Sequence, residues 1–273
     1  MTYINTLSHE EILATALFYA DSGVYWLFES PAEEKHESKT INLSHEQSSQ
    51  INHTPNPEKT AHNLVDHPIV KQSYLISKHA RSLIELKSSL SSFHDCILQS
   101  TASSTICADQ DDGQELMIIG YTPSDSDHIN GKPFTGKIGD MLNKMLKSIG
   151  IMRKNTCISM ISPWNPMGNR KLSELEKQIC RPIILKQIEL VYPKIILLLG
   201  NETANFFFSN DKSVYHNFGK WKQITINNNT IPTLSTVHPK EMIEYPLVKK
   251  IAWRDLLTLK DALNISNKKN MST

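Results

Sequence analysis

Three stretches of this chain carry side chains whose types could do chemistry on a ligand. Phe134 is a lone aromatic between Pro133 and Thr135, in a polar run from Tyr121 to Gly139 where no apolar periodicity asks for it. A ring there either covers the edge of the core or offers a flat face on which a planar ligand stacks. On local grounds the covering role is the ordinary one. Gly168-Asn169-Arg170 places an amide and a guanidinium in a second polar run, Ser162 to Lys171. His238-Pro239 places an imidazole at the head of a third, ending at Glu244. Each run follows an apolar segment, and those segments decide whether the three meet.

Leu116–Ile119 is short, partly β-branched and closed by Gly120, the pattern of a buried parallel strand. Thr156–Ile161, Lys194–Leu199 (closed by Gly200) and Ile231–Val237 read the same way. Helical spacing fills the intervals. Ile138, Met141, Leu142, Met145, Leu146 and Ile149 share one face; Ser173 and Glu176 have capping-box spacing before a helix that Pro182 should kink; Asn201 caps a short helix; Val248, Ile251, Ala252, Leu256, Leu259 and Leu263 line a last one. Spacing from Ile69 to Phe93 predicts a further helix, and residues 209–230 a loop with a hairpin. Strands alternating with helices predict a three-layer α/β/α domain around a central four-stranded, mainly parallel sheet. In such a sheet, loops after strand ends converge on one edge. Phe134, the Gly168–Arg170 turn and His238 are therefore expected in one site.

The 273 residues carry a formal net charge of +1, which neither demands nor excludes a nucleic-acid partner. The four Cys (96, 107, 157, 180) form no C-x-x-C pair and suggest no disulfide framework. The start lacks the pattern of a signal peptide, and no apolar stretch reaches the ~20 residues a membrane helix needs. The expectation is a soluble, cytoplasmic monomer. Composition divides it into an amphipathic N-terminal helix (1–29, opened by the capping-box pair Ser8 and Glu11), a low-complexity linker (30–66), the α/β domain (67–265) and a disordered tail (266–273). The irregularly spaced His36, His45, His53 and His62 read as linker residues rather than a metal tract, and no metal site is expected.

The order of motifs resembles the uracil-DNA glycosylase superfamily, specifically its family 4. The residues that carry the resemblance are Gly120-Tyr121-Thr122-Pro123-Ser124, Gly131-Lys132-Pro133-Phe134-Thr135-Gly136-Lys137-Ile138-Gly139, Pro163-Trp164 with Gly168-Asn169-Arg170, Cys180-Arg181-Pro182, Pro193 to Gly200, His238-Pro239 and Ala252-Trp253-Arg254-Asp255-Leu256. They span roughly residues 80–263, and the N-terminal helix is similar to one in a bacterial branch of the family. The resemblance implies hydrolysis of the bond joining uracil, or another deaminated base, to deoxyribose in DNA, with the base drawn out of the stack into a pocket. It implies that Phe134 stacks on the base among Gly120, Thr122 and Pro123. His238 would donate toward the leaving uracil, and Asn169, Arg170, Lys137, Ser235 and Pro239 would lie along the DNA.

Departures from the family pattern accompany this. Tyr121 replaces the carboxylate that orients the attacking water, and Tyr, with an ordinary pKa near ~10, is a poor base at neutral pH. Met160 replaces the amide that reads the uracil edge and offers no donor. Glu244 stands where an arginine is expected. Asp125 and Asp127 could order a water instead, or be solvated loop acids. Family 4 usually holds a four-Cys iron–sulfur cluster. Here Cys96 and Cys180 match two ligand positions, while Gln99 and Trp164 occupy the others, so no cluster is expected. Two readings follow: a DNA-repair glycosylase with weakened or altered activity, or a non-catalytic descendant that binds single-stranded or damaged DNA or a protein.

Overall fold

In the computed structural model of the chain the described residues are 64–110, 113–208 and 218–270, with side chains to 264. The expected N-terminal helix and nearly all of the expected linker lie outside them. The single helix expected between residues 69 and 93 is two. α1 (Pro68–His79) begins with Pro68 in its first turn and ends at Ala80, and α2 (Leu83–Ser91) follows. The break is local: Ser82 is extended, its hydroxyl accepts from Glu85 N (3.1 Å), and the Glu85 carboxylate accepts from Arg81 N (2.8 Å). A start signal in mid-run overrides the apolar spacing. A short turn of helix, α3 (Ile97–Ser100), leads to the sheet.

The sheet has five strands rather than the four expected. β1 (Leu116–Gly120), β2 (Thr156–Met160), β3 (Ile195–Leu199), β4 (Trp221–Ile226) and β5 (Asn229–Thr236) lie in the order β2-β1-β3-β5-β4. β2, β1, β3 and β5 are parallel, and β4 pairs antiparallel with β5. The extra strand is half of the expected hairpin. Asn227 (φ 47°) and Asn228 (φ 65°) make its two-residue turn, a conformation Asn tolerates. β4 is an edge strand exposed along most of its length, so it lacks the apolar run of the buried strands.

Between the strands come α4 (Asp125–Asn130), α5 (Gly136–Ser148), α6 (Glu174–Val191), α7 (Asn201–Phe208), α8 (Pro239–Glu244) and α9 (Lys249–Asn270). α4 makes part of the expected polar loop helical. α6 runs on through Pro182, and α9 continues to Asn270, past the expected domain end at residue 265. Side chains alternate across each strand, and the two faces pack on different helices. Met117, Ile119, Ile196 and Leu198 meet α1, α2 and α6; Leu116, Ile118, Ile195, Leu197 and Leu199 meet α5 and α9. This is the three-layer α/β/α arrangement. Among the described residues no helix is long and apolar enough to cross a membrane.

Candidate functional site

Parallel strands carry their loops to one edge. At that edge Gly120 and Met160 are register partners at the ends of β1 and β2, and Gly200 N donates to Thr236 O (2.8 Å) where β3 and β5 finish. Gly200 has φ 89°, and a Cβ there would come within 3.1 Å of the His238 Cβ. The strand ends thus bring His238 and Phe134 together, with ring centroids 5.5 Å apart and planes tilted by 36°. A Cβ on Gly120 would lie 2.6 Å from Met160 Sδ and 2.7 Å from the Phe134 ring. Gly120 is therefore the residue type that lets ring and thioether meet over the strand. Phe134 is 3% exposed and Met160 2%, so protein covers both faces of the ring.

His238 caps α8. Its Nδ1 accepts from Lys240 N (3.1 Å), which leaves the single proton of a neutral imidazole on Nε2. Burial pushes its pKa down to about 4, helped by the charge of Lys240 and opposed by Asp127. The ring is thus a neutral donor across the physiological range.

Phe134 sits at φ 51°, a left-handed conformation uncommon for an aromatic. Its loop is held from two sides. Asp127, 2% exposed, accepts from Ser124 N (2.9 Å), Thr135 N (2.6 Å) and Thr135 Oγ1 (2.9 Å). That engages most of the acceptor capacity that water-ordering would need, and makes Asp127 a loop brace. Asp125 is exposed in the first turn of α4. From the other side Arg153 donates to Pro133 O (2.6 Å) and Phe134 O (2.9 Å). Nothing in the sequence spacing marked Arg153, which lies in a short polar turn before β2.

Tyr121 is not at this site. Gly120 falls on the Phe134 face of the sheet, so the next residue alternates to the other, and Tyr121 packs with the cluster that includes Trp164. Burial, with the charge of Glu202 next, pushes its hydroxyl up to about 12, against an interaction with the Leu172 backbone. The residue that stands in place of the family's water-orienting carboxylate thus packs on the face away from Phe134. Thr122 is partly buried and Pro123 buried at the turn that follows.

The expected DNA contacts divide in two. Lys137 is exposed in the first turn of α5, and Asn169 is exposed at φ 55°, accepting from the Asn165 side-chain amide. Arg170 is half exposed but forked onto Glu176, both bonds 2.7 Å. Glu176 also closes the capping box of α6, and Arg170 with these bonds pulls its pKa down to about 2. Ser235, 1% exposed, pairs with Leu198 inside the sheet, and Pro239 is buried in the first turn of α8. Both are buried, unlike Lys137 and Asn169. His128 was not expected: its Nε2 accepts from Asn165 N (3.2 Å) and its Nδ1 meets Ser104 Oγ (3.2 Å), tying the first loop to the second.

At the expected cluster position Trp164 is wholly buried, its Nε1 donating to Thr105 Oγ1 (3.1 Å) and its ring 6.3 Å from Phe93. Cys96 and Cys180 are wholly buried thiols; burial raises both, Cys180 to about 12. Gln99 is bonded to Ser91 O and His94. Two thiols, an engaged amide and an indole without a free lone pair do not fit a four-thiolate cluster. Among the described residues no group of three or more His, Cys, Asp or Glu could hold a metal ion.

A mainly parallel α/β sheet carries an aromatic, a neutral imidazole and a glycine-floored contact at its carboxyl edge. Residues 109–257 match the Uracil DNA glycosylase superfamily, more than half of the chain, and the protein belongs to that superfamily. Among its relatives, the type-4 uracil-DNA glycosylase of Saccharolobus solfataricus is 30% identical over 155 residues (55% of this chain, 72% of the relative). That of Sulfurisphaera tokodaii is 28% identical over 185 residues (66% of this chain, 84% of the relative).

Proposed function

We propose that this protein hydrolyses the N-glycosidic bond of uracil, or of another deaminated base, in DNA, and does so slowly. The observation that carries the reading is His238: neutral, its Nδ1 committed to Lys240 N, with Nε2–H left to donate beside Phe134. As the bond to deoxyribose breaks, negative charge grows on the departing base. A fixed donor stabilises that charge more than the ground state. Water adds to the anomeric carbon of the cation-like sugar, and the released base takes up a proton. Slowness follows from what surrounds this donor. Met160 gives the base edge no amide, and a base reaching Phe134 must displace the Met160 thioether. Among the residues placed at the site no free carboxylate orients water.

Release of uracil from single- and double-stranded oligonucleotides tests this, with a type-4 relative run in parallel. The expected result is measurable release, well below the relative's, that His238→Ala removes. Release no faster than that of His238→Ala would overturn it. The covered ring and the displaced Tyr121 would then favour a non-catalytic DNA-binding role.

A further inference from the structure

We infer that Arg153 is a positioning residue for the base-stacking ring, held in place by Asp109, an assignment that rests on the proposed role of Phe134. The guanidinium spans two consecutive carbonyls, Pro133 O (2.6 Å) and Phe134 O (2.9 Å), one on each side of the left-handed turn at Phe134. An aromatic at φ 51° persists only where its surroundings determine the backbone. The surroundings here are specific. On the α5 side a Cβ at Gly139 would lie 2.1 Å from Phe134 O, so the carbonyl lies almost against the helix backbone. On the strand side Arg153 caps the same carbonyl. Asp127 fixes the next residue, Thr135, through its N–H and hydroxyl.

Arg153 is itself oriented. Its second terminal nitrogen lies 3.5 Å from Asp109 Oδ2. Asp109 in turn is bound to the free edge of β2: Oδ1 accepts from Ile158 N (2.7 Å), and its own N–H donates to Ile158 O (3.0 Å). The chain of contacts therefore runs from the rigid edge strand through Asp109 and Arg153 to the backbone that sets where the ring stands. The planar fork matters, because one ammonium cannot meet two carbonyls and a carboxylate in this geometry. Arg153 touches neither ring nor base, so its effect on the reaction passes through Phe134.

The test uses the full chain and Arg153→Ala, Arg153→Lys and Asp109→Asn, the last keeping an acceptor for Ile158 N. Hydrogen exchange is followed for residues 131–139 and for β3, beside single-turnover uracil release. The expected result is at least tenfold faster exchange in 131–139 for Arg153→Ala with β3 unchanged, and smaller changes for the other two. If Arg153→Ala does not fold, the same comparison is read from Arg153→Lys and Asp109→Asn. Equal loosening of the loop and β3, or no change in the loop, overturns the inference. Release should fall at least tenfold in Arg153→Ala but no further when Phe134→Ala is added to it than in Phe134→Ala alone; additive losses also overturn it. If wild type releases no uracil, the proposed function fails, while the exchange result still decides whether Arg153 holds the loop.

Discussion

His238 has one ring nitrogen committed and one free, and that asymmetry sets its pH behaviour. A second proton would place an N–H on Nδ1 against the Lys240 N–H that it now accepts. Its folded pKa, about 4, lies below the ordinary value near ~6.5, so its contribution to stability is present above ~6.5 and lost as pH falls through 4. The donor itself stays neutral to lower pH than a free histidine. Single-turnover release should therefore be level from about pH 8 to 5 and fall only near pH 4; an acid limb centred near 6.5 would contradict the partly buried, neutral ring. Met160 is the second residue-scale prediction. Met160→Asn shortens the side chain lying over Gly120 and supplies an amide, and release should rise up to about 10-fold, the ~0.5–1.5 kcal/mol of one net hydrogen bond. Unchanged release would mean that access or base reading is limited elsewhere. That Phe134 and His238 meet was legible from the loops that follow parallel strands converging on one edge; the ring's local surroundings favoured only a covering role. The side of the sheet that Tyr121 takes was readable too, since strand alternation puts it opposite Gly120, on the face of Met117 and Ile119. Arg153 was illegible, because its partners are backbone carbonyls some twenty residues away and carry no side-chain signature.

Elements place these residues through a few close contacts, and those contacts are the places to break them. Gly139 lets α5 approach the Phe134 carbonyl, so Gly139→Ala should push the loop off the helix and destabilise by about 1–3 kcal/mol. Denaturant unfolding gives the loss, and an unchanged midpoint would mean the loop simply yields. Trp164 fills the space beside Phe93, Cys96 and Cys180 with one buried ring, and Trp164→Ala should cost about 3–5 kcal/mol through the cavity it leaves. A loss under 1 kcal/mol would show that the interior collapses freely there. The buried parallel strands were legible as short continuous apolar runs, and the long amphipathic helices by a periodicity sustained over several turns. The weaker elements were not. β4 alternates polar side chains along an exposed edge, and α4 depends on the Ser124–Asp127 capping box inside a loop crowded with turn residues. Ser82 divides α1 from α2 in the same way, by a cap that apolar spacing ignores.

At the scale of the whole molecule, a net charge of +1 leaves DNA affinity to local charges at the sheet edge. Lys137 and Asn169 are exposed, but Arg170 is neutralised by its fork with Glu176. Glu244, in α8 below His238, is 3.8 Å from Lys240 and offsets that cation too. Binding to a uracil-containing single strand should therefore be weak and have a shallow salt slope, since each phosphate neutralised contributes about 0.7 to the slope of log affinity against log salt. Lys137→Ala should flatten the slope by about that amount. Glu176→Gln should steepen it by about the same, because the amide keeps the capping geometry of α6 while freeing the Arg170 guanidinium for phosphate. Fluorescence anisotropy across a salt series measures both variants against wild type. If Glu176→Gln leaves the slope alone, Arg170 faces away from the strand, and the Gly168–Arg170 turn acts through Asn169 rather than through charge.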